Sequence, residues 1–187
     1  MAGPMKIGIS ACLLGETVRY DGGHRRDPFI IEILGRFAAF VPICPEVECG
    51  LGVPRETMHL IGDPRQPRLV TTRSRVDHTE RLLSWGAAKV RELEKEGVCG
   101  FIFKSRSPSC GVERVEVHTE GRGVRKAGAG LFAGEVMRCF PLLPVVEDEG
   151  LHDPLLRENF IERLFTAQRL MARTAENPSA GGDQNSR

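Results

Sequence analysis

Residues 5–15 read MKIGISACLLG, a short apolar run that ends in a turn containing a cysteine. Residues 5–10 predict a buried strand, because the run is too short for a helix and a glycine-containing turn follows it. Two more apolar runs, at 38–43 and 98–103, are each followed by a polar loop that also contains a cysteine. Continuous apolar strands are typical of parallel sheets that are covered on both faces.

Helical patterns lie between these strands. Helices are predicted from Asp27-Pro28 to about residue 37, from Ser74 to about 96, over 131–138 and from Asp153-Pro154 to about 171. Further short strands are predicted at 69–72, 112–117 and 142–146, with a flexible glycine-rich stretch at 121–130. The alternation predicts an α/β fold with three layers, Rossmann-like, in which helices cover both faces of a mostly parallel sheet.

We expect residues 1–172 to form a single catalytic domain. Residues 173–187 are small and polar, with too little apolar surface to bury, and predict a disordered tail. The 187 residues are 41% hydrophobic and 27% charged, which excludes a chain that is disordered throughout. No apolar run approaches the length of a membrane helix, roughly 18 residues.

The charge balance and the cysteines bear on partners and location. The net charge is +1, which gives no general field for a polymeric nucleic acid, so we expect a small-molecule substrate. No secretory signal is recognised, since the apolar run before Cys12 is too short. We therefore expect a cytoplasmic protein, a monomer or small homo-oligomer, whose six cysteines are reduced.

Three of the cysteines follow predicted strands. Cys12, Cys44 and Cys110 are far apart in sequence, but the loops that carry them belong to the carboxyl edge of one sheet, where such folds bind ligands. Three converging thiolates suit a catalytic zinc ion with an open position, or a [4Fe-4S] cluster with one iron not bound by protein. The alternative is that each cysteine only fills space in the core.

The remaining three cysteines have other predicted roles. Cys49 follows Cys44 at a spacing also seen in ferredoxin-type ligation, so it is a possible fourth ligand. Cys99 lies within a predicted strand and Cys139 follows a helix, and core packing is predicted for both.

Several ungapped motifs resemble the DUF523 family, which includes the TudS-type thiouracil desulfidases. The motifs are SACLLG at 10–15, VRYDG at 18–22, CPEV at 44–47, GLGVPR at 50–55, KSRSPSCG at 104–111 and RENFI at 157–161. The resemblance extends over about residues 5 to 165. Glycine is usual in that family at the position of Cys49.

The resemblance implies a [4Fe-4S] enzyme that removes sulfur from thiolated uracil, or from a thiouridine nucleotide, without net redox change. The products are the uracil form and sulfide. By motif, Cys12, Cys44 and Cys110 hold the cluster, and the substrate sulfur binds its open iron. Glu46 and Ser107 are the implied acid–base and proton-relay residues.

Four cations lie in the same loops as these cysteines. We hypothesise that Arg19, Arg55, Lys104 and Arg106 include residues that bind substrate, in particular the phosphate of a thiolated uridine monophosphate. The alternative is ordinary surface ion pairs. Two other functions stay open at this point: a cluster-dependent lyase or hydrolase of another small substrate, and a non-catalytic iron–sulfur sensor.

Overall fold

The protein contains eight strands and five helices in the residues that the structure, a computed structural model, describes: 4–119, 121 and 123–176. The strands are β1 (Met5–Ser10), β2 (Ala38–Ile43), β3 (Met58–Asp63), β4 (Gln66–Thr71), β5 (Gly100–Phe103), β6 (Glu116–Thr119), β7 (Gly123–Lys126) and β8 (Val145–Glu147). The helices are α1 (Pro28–Glu32), α2 (Pro45–Glu48), α3 (Thr79–Glu96), α4 (Leu131–Cys139) and α5 (Pro154–Glu176).

Four strands form an all-parallel sheet, sheet A, in the order β2-β1-β5-β8. β1 pairs with β2 along its whole length, from Met5 opposite Ala38 to Ser10 opposite Ile43. β5 lies on the other side of β1. The first two apolar runs are therefore strands with the predicted bounds, and the carboxyl ends of β1, β2 and β5 lie at one edge of the sheet.

Helices cover both faces of sheet A. On one face, Ile30 of α1 and Phe160 of α5 belong to the same buried cluster as Ile7 of β1. On the other face, Phe132 of α4 packs edge-on against Phe101 of β5, with ring centroids 5.9 Å apart. Burying each such side chain contributes roughly 1.5–3 kcal/mol. The predicted three-layer α/β arrangement is confirmed.

A second sheet, sheet B, has the order β4-β3-β6-β7. It consists of two antiparallel pairs, β3 with β4 and β6 with β7, which are joined by a short parallel pairing of β3 with β6. Leu60, Leu69 and Val117 from this sheet are buried in the core cluster that also contains α3 and α4. Sheet B therefore packs on the α3 and α4 side of sheet A.

Sheet B differs most from the sequence prediction. The strands predicted at 69–72 and 112–117 overlap β4 and β6, but β4 begins earlier, at Gln66, and β6 begins later, at Glu116. β3 was not predicted. β7 lies within the stretch expected to be flexible. Its four residues are all exposed, so they carry no apolar alternation by which a strand could be recognised.

Three helix ends also differ from expectation. α1 ends at Glu32 rather than near residue 37, and a separate 3₁₀ turn at Leu34–Arg36 follows it. α3 begins at Thr79 rather than near Ser74, because the Ser74 hydroxyl bonds Thr71 and the Glu56 carboxylate in a turn. α5 continues to Glu176, so residues 173–176 of the predicted tail are helical, and its remainder lies outside the described residues. None of the described helices is long and apolar enough to cross a membrane.

Candidate active site

Cys12 lies in the turn that ends β1. A 3₁₀ turn at Ala11–Leu14 follows the strand and closes at Gly15, whose φ of 98° favours glycine. The carbonyl of Cys12 accepts a hydrogen bond from the backbone N–H of Arg25 at 2.8 Å. The glycine-rich loop after the strand therefore folds back over this cysteine, which is 8% exposed.

Cys44 directly follows β2 and precedes α2. Pro45 takes the first helical position, where its missing N–H costs nothing. The backbone N–H of Cys44 donates to the Glu48 carboxylate at 3.0 Å, and Lys89 of α3 holds that carboxylate at 2.9 Å. This short helix is anchored to α3 and places Glu46 at the wall of the same cavity as Cys44.

Cys110 lies in the loop that follows β5. The Ser107 hydroxyl oxygen accepts hydrogen bonds from the backbone N–H groups of Ser109 and Cys110, at 3.2 and 3.1 Å. The first turn of α4 donates to the same loop, since the N–H of Leu131 bonds the carbonyl of Pro108 and that of Phe132 bonds the carbonyl of Ser109. Hydrogen bonds from both sides therefore fix the backbone before Cys110.

The three cysteines line one cavity of about 280 Å³ at the carboxyl edge of sheet A. That volume is near the lower end of ligand pockets, about 300 Å³. All three are free thiols. Burial raises the pKa of Cys12 to about 11, with a smaller contribution from Cys44, and burial raises the pKa of Cys110 well above its usual value. The structure thus brings together the three cysteines singled out from the sequence.

Glu46 is held on both of its carboxylate oxygens. Arg55 donates from Nε to Oε2 at 2.7 Å, and the Ser109 hydroxyl donates to Oε1 at 2.9 Å. Arg55 also bonds the carbonyls of Val18 and Gly52, at 3.0 and 3.2 Å. The guanidinium predicted to bind substrate is therefore engaged by Glu46 and two carbonyls.

The other three cations differ in their partners. Lys104 donates to Asp148 at 2.8 Å, and Arg106, which is 81% exposed, pairs with Glu149 at 2.9 Å. Arg19 lines the cavity, and its buried Nε has no hydrogen-bond partner, since the Asp21 carboxylate lies 3.6 Å away. Among the four cations, Arg19 retains a buried donor for a ligand.

Three cysteines lie outside the cavity wall. The Cys49 thiol donates to the carbonyl of Glu46 at 3.3 Å and packs against the core, so the structure does not bring it to the other three. Cys99 is buried as predicted. Cys139 is exposed, so the prediction of core packing was wrong for this residue. It is the last residue of α4 and lies on an exposed side of the helix, where the thiol contacts Arg138 and Glu135.

Sequence reasoning missed Ser109, which touches Glu46. Ser107 and Ser109 both occur in the motif SPSC at 107–110, and the motif alone does not indicate which hydroxyl reaches the carboxylate. The structure identifies Ser109 by its burial, since it is 0% exposed, and the sequence carries no signal for this contact. In the described part of the chain, no group of three or more His, Cys, Asp or Glu side chains is arranged to hold a single metal ion.

Fold and site together define a class: an α/β protein in which the loops after three parallel strands each bring one thiol to a common cavity. Comparison with known proteins adds the family. Residues 7–148 match the model of the 2-thiouracil desulfurase family, and the chain belongs to that family. A search of curated proteins found no similar sequence.

One solved structure is similar over most of the chain. It is a [4Fe-4S]-dependent thiouracil desulfidase, TudS, of the DUF523 family, with 29% sequence identity and a TM-score of 0.65. The match covers 83% of this chain and 98% of that one. The family resemblance seen in the sequence motifs is thereby confirmed.

Proposed function

We propose that this chain removes sulfur from thiolated uracil, with Cys12, Cys44 and Cys110 as the three protein ligands of a [4Fe-4S] cluster. The observation that carries the proposal is the convergence of these three thiols on one cavity, with the Glu46 carboxylate in the same wall. Membership of the 2-thiouracil desulfurase family and the likeness to TudS support the same activity.

The donor set fits such a cluster. Thiolates are the soft ligands that iron–sulfur clusters take, and three of them leave one of four irons without a protein ligand. The three cysteines are free, and the cavity gives their sulfurs a common space. Cys49 bonds a carbonyl outside the cavity, so we do not assign it as a fourth ligand.

The reaction balances without a redox partner. Water adds to the carbon of the C=S group and hydrogen sulfide leaves, so C=S becomes C=O and no electrons are gained or lost. When bound, the cluster supplies a Lewis-acidic iron for the substrate sulfur. We assign Glu46 to take a proton from the attacking water and to return it to the departing sulfur or the ring nitrogen.

Ser107 is suited to relay that proton. Its oxygen accepts two backbone N–H groups, which leaves the hydroxyl hydrogen available for a partner in the cavity that Ser107 lines. The same two hydrogen bonds also fit a purely local turn. The relay role therefore requires the test of a variant, Ser107→Ala, with the cluster content measured alongside the rate.

Arg19 is our candidate for substrate recognition. Its buried Nε–H lacks a partner, and a carbonyl oxygen of the pyrimidine or a phosphate oxygen of its nucleotide would satisfy it. Substrate contacts by Arg55, Lys104 and Arg106 stay predictions, since these side chains are paired with carboxylates.

The Arg19→Ala variant distinguishes binding to the ring oxygen from binding to the phosphate. If Arg19 binds a ring oxygen, KM rises by about tenfold for both thiouracil and the thiouridine monophosphate. If it binds phosphate, KM rises for the nucleotide alone. Unchanged KM for both would remove Arg19 from the substrate site.

Anaerobic reconstitution tests the proposed function itself. The protein is loaded with iron and sulfide, and its visible cluster absorbance is recorded. It is then incubated with 2-thiouracil, 4-thiouracil and their nucleotides. We expect equal amounts of sulfide and desulfurated product. A fully loaded protein that releases no sulfide from any of these would overturn the proposal, and would favour another lyase or hydrolase activity or a sensor role.

A further inference from the structure

Ser109 is in direct contact with the proposed acid–base residue. It is 0% exposed, and its hydroxyl donates to Oε1 of Glu46 at 2.9 Å across 63 positions of sequence. Hydrogen bonds from a buried neutral donor to a carboxylate are among the stronger side-chain contacts, because the acceptor is charged. The contact therefore links the loop after β5 to the short helix after β2.

The backbone of Ser109 has little freedom to move. Its carbonyl accepts from the N–H groups of Phe132 and Ala133, at 3.0 and 3.1 Å, and its own N–H donates to Ser107. Gly130, at the start of α4, lies so close that a Cβ there would be 2.5 Å from the Ser109 carbonyl carbon. The helix start is therefore packed directly against this residue, and the hydroxyl is presented from a rigid base.

The other oxygen of Glu46 is held independently. Arg55 reaches Oε2 from the loop after α2, and the Val18 and Gly52 carbonyls fix the guanidinium in turn. Residues from two different loops therefore hydrogen-bond to the two oxygens. A carboxylate held at both oxygens cannot rotate about its terminal torsion, which is otherwise a soft degree of freedom.

We propose that Ser109 is a positioning residue for the desulfidation. Its hydrogen bond to Oε1 keeps the Glu46 carboxylate from turning toward Arg55 and holds it in the orientation that faces the reacting atoms. This inference rests on the proposed function. Ser107 has a different task, since its oxygen bonds backbone N–H groups and lines the cavity. Without Ser109, Arg55 alone holds Glu46, and the carboxylate turns toward the guanidinium.

Ser109→Ala tests the inference in the reconstituted enzyme. We expect kcat to fall about a hundredfold, the loss typical of a misplacement near 1 Å, while KM stays within about twofold. Iron content and visible cluster absorbance stay at the unmodified value. Thr79→Val is the matched control, because it removes a hydroxyl that bonds the Leu69 N–H at 2.8 Å away from the cavity. An unchanged kcat in Ser109→Ala, or loss of cluster with it, would overturn the inference.

A double-mutant cycle with Glu46→Asp separates positioning from general damage. The aspartate carboxylate is one methylene too short to meet the Ser109 hydroxyl, so Ser109→Ala has no further effect on kcat in that background. Equal losses in both backgrounds would show that Ser109 does not act through Glu46. Failure of the desulfidase proposal looks different, because the unmodified, loaded protein itself would then release no sulfide.

Discussion

Sheet A and sheet B have four strands each, but the candidate site lies at the edge of sheet A. Its strands are all parallel, so the ends of β1, β2 and β5 meet at one edge and bring Cys12, Cys44 and Cys110 together. Sheet B consists of antiparallel pairs, whose ends are split between opposite edges. Its contribution to the cavity is part of the wall, through Met58 at the start of β3, beside Thr57 of the preceding loop.

The comparison teaches that strand direction, rather than strand number, concentrates chemistry in this molecule. Parallel pairing collects residues that are distant in sequence, as open α/β sheets generally do at their carboxyl edge. If that is correct, changes at the edge of sheet A affect cluster and activity, and comparable changes in sheet B affect stability or nothing.

The largest effect is expected from the cysteines. Replacing Cys110 with Ser removes a soft thiolate ligand, so the reconstituted protein should lose most of its iron and all measurable sulfide release. Cys139→Ser, at an exposed position outside the cavity, should retain both. Iron per chain and initial rates measure the effect. A fully loaded and active Cys110→Ser protein would contradict the assigned ligand set.

Glu46→Gln should lower kcat by about a hundredfold to ten-thousandfold, the usual contribution of a positioned acid–base group. The amide keeps the shape but cannot take a proton, so iron content should not change. Asp63→Asn, at the end of β3 in sheet B, is the matched loss of a carboxylate and should leave kcat unaltered. Equal rates for Glu46→Gln and the unmodified protein would remove Glu46 from the mechanism.

Gly130→Ala should destabilise the protein by about 1–3 kcal/mol and reduce cluster loading, because the new Cβ meets the backbone of Ser109 and Cys110. Gly134→Ala, in the same helix, has its nearest neighbour at 3.9 Å and should stabilise by up to about 1 kcal/mol. Urea unfolding with parallel iron analysis measures both. The two variants should change the free energy of unfolding in opposite directions. The same change in both would show that the close approach at Gly130 is unimportant.

The last two variants concern ion pairs, one largely buried and one exposed. Asp148, which accepts from Lys104 and from the Ser105 N–H, is 13% exposed at its side chain, and Asp148→Asn should cost about 1–3 kcal/mol at neutral pH. The Glu116–Lys126 pair in sheet B is more than half exposed at 3.7 Å, so Glu116→Gln should change the free energy of unfolding by less than about 0.5 kcal/mol.

The stabilisation by Asp148 should also depend on pH. Burial raises the pKa of Asp148, but the hydrogen bonds from Lys104 and Ser105 outweigh burial and hold the pKa below its usual value. A depressed pKa stabilises the fold above the pKa of the unfolded state, and this stability is lost as pH falls toward the folded value. The gap between the unmodified protein and Asp148→Asn should therefore shrink in acid, and a gap that widens would refute this.

Much of sheet A could be predicted from sequence, because its central strands β1 and β5 are almost fully buried and read as continuous apolar runs. β2 is only partly buried, but its run of apolar residues still has the predicted bounds. Sheet B could not, since β3 has one buried position among partly buried and exposed ones and ends in Gly62 and Asp63, and β7 is exposed at every position. Whether distant, partly polar segments pair as strands depends on tertiary contacts, which the local sequence pattern does not indicate.

The candidate site divides in the same way. The positions of Cys12, Cys44 and Cys110 after strands indicated their convergence, because parallel topology fixes where loops meet. The partners of Glu46 were not predictable: Arg55 was expected at the substrate, and Ser109 was not considered. Which donor reaches a carboxylate depends on side-chain direction across loops, which spacing does not encode. Metal ligation, cytoplasmic location and oligomeric state stay predictions.

The separation of the three thiols along the chain has a consequence for biosynthesis. During translation Cys12 and Cys44 emerge well before Cys110, and the strand β5 must insert beside β1 before the third sulfur reaches its neighbours. The set of three thiols that we assign to the cluster is therefore complete only after residue 110 has been synthesised and β5 has paired with β1.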